Sequence, residues 1–143
     1  METERANQAL TASEIFDLVR EDLEKVEKAI DVESLASVDT VTTIGRYLQQ
    51  SGGKRLRPAL LLLCARFAGA EKSAKNSKTA IQLGAVAEMI HAATLVHDDV
   101  IDMARTRRGR PSTNVQWGNS KCVLAGDWLY MQAFRVALEE RNF

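Results

Sequence analysis

AVAEMIHAATLVHDDVIDMARTRRGRP, residues 85–111, decides how the rest of the chain is read. Apolar side chains recur at helical spacing through its first half, and then three carboxylates, Asp98, Asp99 and Asp102, run into four arginines, Arg105, Arg107, Arg108 and Arg110. On a helix, positions four apart differ by about 40° in direction, so Asp98 and Asp102 project to one side a turn apart, with Asp99 about 100° round. Both lie near a helix C-terminus, where the macrodipole disfavours each anion by roughly 0.3–1 kcal/mol, and they repel one another. Stability alone does not select that placement. Two carboxylates that leave positions open for water and phosphate suit Mg2+, so the pair reads as a metal platform for a polyphosphate. The competing reading is a solvated salt-bridge network with Arg105, Arg107 and Arg108.

Working outward from this stretch, apolar residues recur at helical spacing almost everywhere, and no segment alternates as a half-buried strand does. The fold class is all-α. Thr11 or Ser13 caps a first amphipathic helix, EIFDLVREDLEKVEKAI, striped by Ile15, Leu18, Val19, Leu23, Val26 and Ile30. A second helix spans Leu35 to Gln50, and Ser51-Gly52-Gly53 ends it with residues that tolerate left-handed backbone. Pro58 opens a third, PALLLLCARFAGA, apolar nearly all round and therefore expected to be buried. A polar connection over Lys72 to Ser77 leads to a fourth from Thr79 to about Ile101, and a fifth runs from about Asn119 to the end. That last helix is still apolar on one side with no glycine stop, so the chain is expected to be the N-terminal part of something longer.

The 143 residues, 45% of them hydrophobic, suffice for one domain with a real core. Formal charge sums to zero, so nothing in the whole-chain balance points to nucleic acid or a membrane surface. No uninterrupted apolar run reaches bilayer length and the first residues are not signal-like, so no transmembrane segment and a cytoplasmic location are expected. Cys64 and Cys122 lack the spacing of a metal or redox pair and read as reduced core cysteines.

A second charged cluster bears on the first. GGKRLRP, Gly52 to Pro58, sets Lys54, Arg55 and Arg57 in the turn before an apolar helix, where glycines allow close backbone approach and exposed helix-start N–H groups favour an anion. Lysine offers a point charge and arginine a fork that fits two phosphate oxygens. Two phosphate-type clusters separated by apolar helices are harder to attribute to solvated turns than one.

GGKRLRP, then EMIHAATLVHDDVIDMARTRRGRPSTN, then AGDWLYMQAF, in this order and spacing, resemble the N-terminal half of a trans-isoprenyl diphosphate synthase over roughly Ile44 to Phe134. The resemblance implies an antiparallel helical bundle of the isoprenoid synthase type and a homodimer. It implies Mg2+-dependent condensation of isopentenyl diphosphate with an allylic diphosphate. The allylic partner loses its diphosphate to leave a carbocation, the isopentenyl double bond attacks it, and a proton departs. Lys54, Arg57, His91 and Arg108 match contacts to isopentenyl diphosphate. Asp98 and Asp102 match Mg2+ ligands, Asp99 completes their motif, and Arg107 matches a contact to the allylic diphosphate. Arg55 matches no such contact. Small residues at Ala93 and Thr94, with Ala87 deeper, leave the tunnel floor open where bulky residues would limit the product, which implies a medium-to-long polyprenyl chain.

A second aspartate-rich motif, supplied in the family by a later helix, does not occur in these 143 residues, so negligible synthase activity is expected of them alone. A terpene cyclase, which needs no isopentenyl diphosphate site, a non-catalytic subunit of a heteromeric synthase and a purely structural helical dimer are the alternatives.

Overall fold

The structure, a computed structural model, describes residues 9–140. They form seven α-helices and one two-residue hairpin: α1 (Ala12–Asp17), α2 (Arg20–Glu33), α3 (Asp39–Gln50), α4 (Leu56–Phe67), α5 (Ala74–Ile101), β1 (Thr106–Arg107), β2 (Arg110–Pro111), α6 (Thr113–Trp117) and α7 (Asn119–Glu139). The expected all-α bundle is what the chain builds. The continuation of the last helix to residue 143 lies outside the described residues.

Four element boundaries differ from expectation. The first amphipathic helix is broken: Val19 leaves helical geometry at φ −119° and is fully buried, while the carbonyl freed at Leu18 accepts a hydrogen bond from Arg66 of α4. The second helix begins at Asp39 rather than Leu35, because the Thr42 hydroxyl takes the Ala36 N–H at 2.9 Å and fixes the preceding residues as a turn. α5 begins earlier than expected, at Ala74, since Ser73 caps it by accepting from the Asn76 N–H. The hairpin and α6 occupy what reads in sequence as one arginine-rich loop.

The third helix also departs from its expected burial. Proline does sit in the first turn of α4, and Pro58, Ala59 and Leu62 are buried. The opposite face is open, with Leu56, Leu60 and Cys64 exposed and Phe67 97% exposed. A helix apolar on all sides does not specify which side is covered, so sequence could not assign this one. Cys122 is buried as expected; Cys64 is not.

α5 is the axis of the bundle. Its buried Ala80, Ala85, Val86 and Met89 pack with Val26 and Ile30 of α2, Ala59 and Leu62 of α4, and Ala133 and Val136 of α7. Nearer its C-terminal end, Val96 joins Ile44 and Leu48 of α3 and Cys122 and Ala125 of α7 in a second cluster. α5 and α7 run antiparallel, as Thr79 bonds to Glu140 at one end and His97 to Val123 at the other. Small residues set the helix spacing: a methyl added at Gly84 would meet Val26 at 3.1 Å, and one at Gly126 would strike the His97 ring at 2.3 Å. Among the described residues α5 alone is long and apolar enough to cross a membrane by length and composition. In this fold it is the central core helix, which satisfies the same test.

Candidate functional site

The loop joining α3 to α4 and the hairpin after α5 meet over the middle of α5, although they lie about fifty residues apart in sequence. Between them is an open cleft of about 520 Å³ lined by Lys54, Arg55, Arg57, Glu88, His91 and Arg108, among others. Local backbone explains the convergence. Gly52 takes φ +74° after α3, which turns the chain back toward α5. On the other side, Arg107 pairs with Arg110 across a two-residue turn whose central residues, Arg108 and Gly109, have φ of 52° and 75°. Such turns favour Asn-Gly, and a left-handed residue with a Cβ costs roughly 1–2 kcal/mol. The turn therefore holds Arg108 where an asparagine would fit with less strain, with its guanidinium over Gly53. A methyl at Gly53 would come within 3.3 Å of that guanidinium, so glycine keeps the backbone of the first cluster open to the cation of the second.

The hairpin is held from below by Tyr47 of α3. Its hydroxyl donates to the Pro111 carbonyl at 2.7 Å and accepts from Gln116 at 2.8 Å. Its ring stacks edge-on against Trp117 and carries the Arg110 guanidinium 4.1 Å from its centroid. Ser112, buried, donates its N–H to Arg105 and its hydroxyl to Ala104, which closes the loop beneath the arginines. Neither Tyr47 nor Trp117 stands out in sequence; they meet each other too far along the chain for any local pattern to reveal them.

Electrostatics follows from this gathering. Partial burial lowers the pKa of His91, and Arg57, Arg108 and Arg107 lower it further, against an opposing effect of Glu88. His91 is therefore neutral at pH 7 and presents a hydrogen-bonding imidazole without adding to the positive charge. An anion entering the cleft meets the cations Lys54, Arg57 and Arg108 with two groups, His91 and the Gly52–Gly53 backbone, that need little reorganisation.

The three aspartates separate as helix geometry requires. Asp98 and Asp102 are exposed at the C-terminal end of α5, and neither side chain has a hydrogen bond or ion pair among the described residues. Asp99, on the other side of the helix, is 0% exposed. One of its oxygens accepts from Nε and a terminal nitrogen of Arg107 at 2.9 and 2.7 Å, and the other from the Thr113 hydroxyl at 3.4 Å. Burial and the nearby Asp99 charge push the Cys122 thiol up, against the effect of a hydrogen bond with Thr113. Asp99 thus anchors the hairpin behind the surface that Asp98 and Asp102 present.

Arg107 uses only part of its fork on Asp99 and keeps further N–H donors for a ligand. His91 lies seven residues before Asp98, roughly 10 Å along the axis on nearly the same face. Of the two residues that the resemblance links to product length, Thr94 is exposed and Ala93 is fully buried within the packed helices. Among the described residues, no group of three or more His, Cys, Asp or Glu side chains is placed to hold a metal. Two free carboxylates one turn apart nevertheless fit a hard divalent cation that completes its shell with water and phosphate oxygens.

A family model described as polyprenyl synthetase matches residues 38–142, and the chain belongs to that family. It is 39% identical over 124 residues to an all-trans-nonaprenyl-diphosphate synthase, geranyl-diphosphate specific, of Rhodobacter capsulatus, covering 87% of this chain and 37% of that protein. It is 36% identical to the octaprenyl diphosphate synthase of Escherichia coli over 89% of this chain and 38% of the relative. A crystal structure of a polyprenyl synthase from Caulobacter crescentus, complexed with calcium and isoprenyl diphosphate, superimposes with a TM-score of 0.82 at 33% identity over 93% of this chain and 39% of the other. The chain spans under two-fifths of the length of each.

Proposed function

We propose that this chain forms the diphosphate-binding part of a trans-prenyltransferase that condenses isopentenyl diphosphate with an allylic diphosphate to a medium- or long-chain polyprenyl diphosphate. The observation that carries the reading is the convergence of two anion-suited elements, the Gly52–Arg57 loop and the arginine hairpin, beside a helix ending in two free carboxylates. A terpene cyclase has no use for the first of these. Membership of a family whose relatives are named as octaprenyl and nonaprenyl synthases supports the chain-length class.

The placement of each group supports a task for it. Lys54, Arg57, His91 and Arg108 bind and orient the diphosphate of isopentenyl diphosphate in the cleft. Asp98 and Asp102 face outward to hold Mg2+ at the diphosphate of the allylic partner, and Arg107, steadied by Asp99, directs its remaining donors there. When bound, the metal supplies positive charge that stabilises the departing diphosphate. No side chain is required as a nucleophile, since the isopentenyl double bond attacks the carbocation. The apolar helices beside the charged groups keep water from capturing that cation.

Coupling of labelled isopentenyl diphosphate, measured in a synthase that carries this chain, tests the reading. Lys54→Ala should raise the KM for isopentenyl diphosphate about tenfold or more with a smaller effect on the allylic substrate, as loss of a charge-assisted contact predicts. Thr94→Phe should shorten the product. Equal, mild effects on both substrates would remove the assignment of the loop, and unchanged product length would remove that of Thr94.

Homodimerisation belongs to the same proposal. Leu124, Met131 and Leu138 repeat every seven residues along the exposed face of α7, beside the rings of Tyr130 and Phe134, which meet at a tilt of 50°. A second copy is the occupant the family reading supplies. A monomeric mass by light scattering at high micromolar concentration would rule it out.

A further inference from the structure

The loop before α4 and the first turn of that helix carry three cations, Lys54, Arg55 and Arg57, and one of them is already occupied. Arg55 forks onto both carboxylate oxygens of Glu27 on α2, and its other terminal nitrogen donates to Glu88 on α5 at 2.9 Å. Its side chain is 17% exposed and that of Glu88 12%. Neither Lys54 nor Arg57 has a side-chain hydrogen bond or ion pair among the described residues. Burial would lower the Arg55 pKa, and the bonds to Glu27 and Glu88 overcome this and hold it above its ordinary value.

The backbone at the same residue is unusual as well. Arg55 precedes α4 with φ 47° and ψ 37°, left-handed geometry that a side chain with a Cβ rarely adopts and that persists only where its surroundings over-determine it. The clamp to two helices is such a determinant. It fixes the loop between the Gly52–Gly53 pair and the first turn of α4, where the flanking Lys54 and Arg57 line the cleft.

We propose that Arg55 is a positioning residue: anchored by Glu27 and Glu88, it sets the shape of the loop that presents Lys54 and Arg57, and it does not itself contact the diphosphate. The proposal rests on the reading that this loop holds a diphosphate. If instead Arg55 were a further phosphate ligand, Glu27 would be a competitor that withholds it. The two roles give opposite signs for one substitution. Removing the Glu27 charge strengthens anion binding by plain electrostatics, and would strengthen it further by releasing a competing guanidinium. Removing a strut weakens binding. Glu27 suits the test, since it lies on α2 outside the cleft lining and its side chain is 42% exposed.

Calorimetric titration of the chain with inorganic pyrophosphate reads the sign. Glu27→Gln and Arg55→Gln are each expected to weaken binding about tenfold, and the double variant no more than the worse single one, because both remove one strut. Arg55→Lys should not restore affinity, since an ammonium cannot fork onto one carboxylate while reaching a second. Should Arg55→Gln melt below the titration temperature, Glu27→Gln decides alone. Binding that Lys54→Ala abolishes but Glu27→Gln leaves unchanged or strengthens overturns the role given to Arg55 only. Absence of pyrophosphate binding by the unsubstituted chain, or binding indifferent to Lys54→Ala, overturns the diphosphate reading of the loop and this inference with it.

Discussion

Asp99→Ala is expected to lower the unfolding free energy of the chain by about 1–3 kcal/mol, less than the ~3–5 kcal/mol of a fully buried pair because the Arg107 side chain is 27% exposed. The carboxylate is fully buried, and its loss strands three donors at once: Arg107 Nε, a terminal nitrogen of Arg107 and the Thr113 hydroxyl. Asp99→Asn should cost less, because an amide of nearly equal volume keeps an acceptor for Arg107 while losing the charge. The two neighbouring aspartates provide the contrast. Asp98→Ala and Asp102→Ala remove exposed, unpartnered anions from a helix C-terminus, where the macrodipole opposes them by roughly 0.3–1 kcal/mol, so stability should stay level or rise slightly. Urea unfolding followed by far-UV circular dichroism ranks the four variants. An Asp99→Ala protein no less stable than Asp98→Ala would mean that the hairpin is held by something other than this pair.

That division of three adjacent carboxylates shows how far the sequence could be read. The helical period alone separates Asp98 and Asp102 from Asp99, because direction around a helix follows from spacing. What Asp99 faces does not follow from it, since Thr113 approaches from α6, an element hidden within an apparently irregular loop. Long periodic segments were legible; Val19 was not. Its place in the apolar stripe predicts helix, and only a tertiary bond from Arg66 to the carbonyl before it accommodates the break. The same limit applies to the site. Lys54, Arg57, His91 and Arg108 are recognisable by residue type, whereas Tyr47 fastens the hairpin through partners more than sixty residues away, and Arg55 looks like a third phosphate cation until its carboxylate partners are seen. Residues that meet ligand carry their chemistry in their identity. Residues that hold those in place carry theirs in contacts, which a local pattern does not encode.

In a synthase that carries this chain, Asp98→Ala should reduce the metal-dependent rate by about 10²–10³, comparable to loss of one preorganised group acting on transition-state charge. Asp102→Ala should do the same, and the double replacement should cost little more than either alone. On the proposed reading the two carboxylates, one turn apart, share a single cation, so loss of either weakens the same site, and groups that act as a unit are non-additive. The loss should fall on kcat, because charge on the departing diphosphate grows toward the transition state, while the KM for isopentenyl diphosphate, which the proposal assigns to the separate cleft of Lys54 and His91, should change little. Raising Mg2+ should recover part of the rate in either single variant and none in the double. Independent, additive losses, or a defect confined to the KM for isopentenyl diphosphate, would mean that the two aspartates do not share a cation. The exposed end of α5 would then be a solvated face, and the case for ionisation of an allylic diphosphate there would have to rest on Arg107 alone.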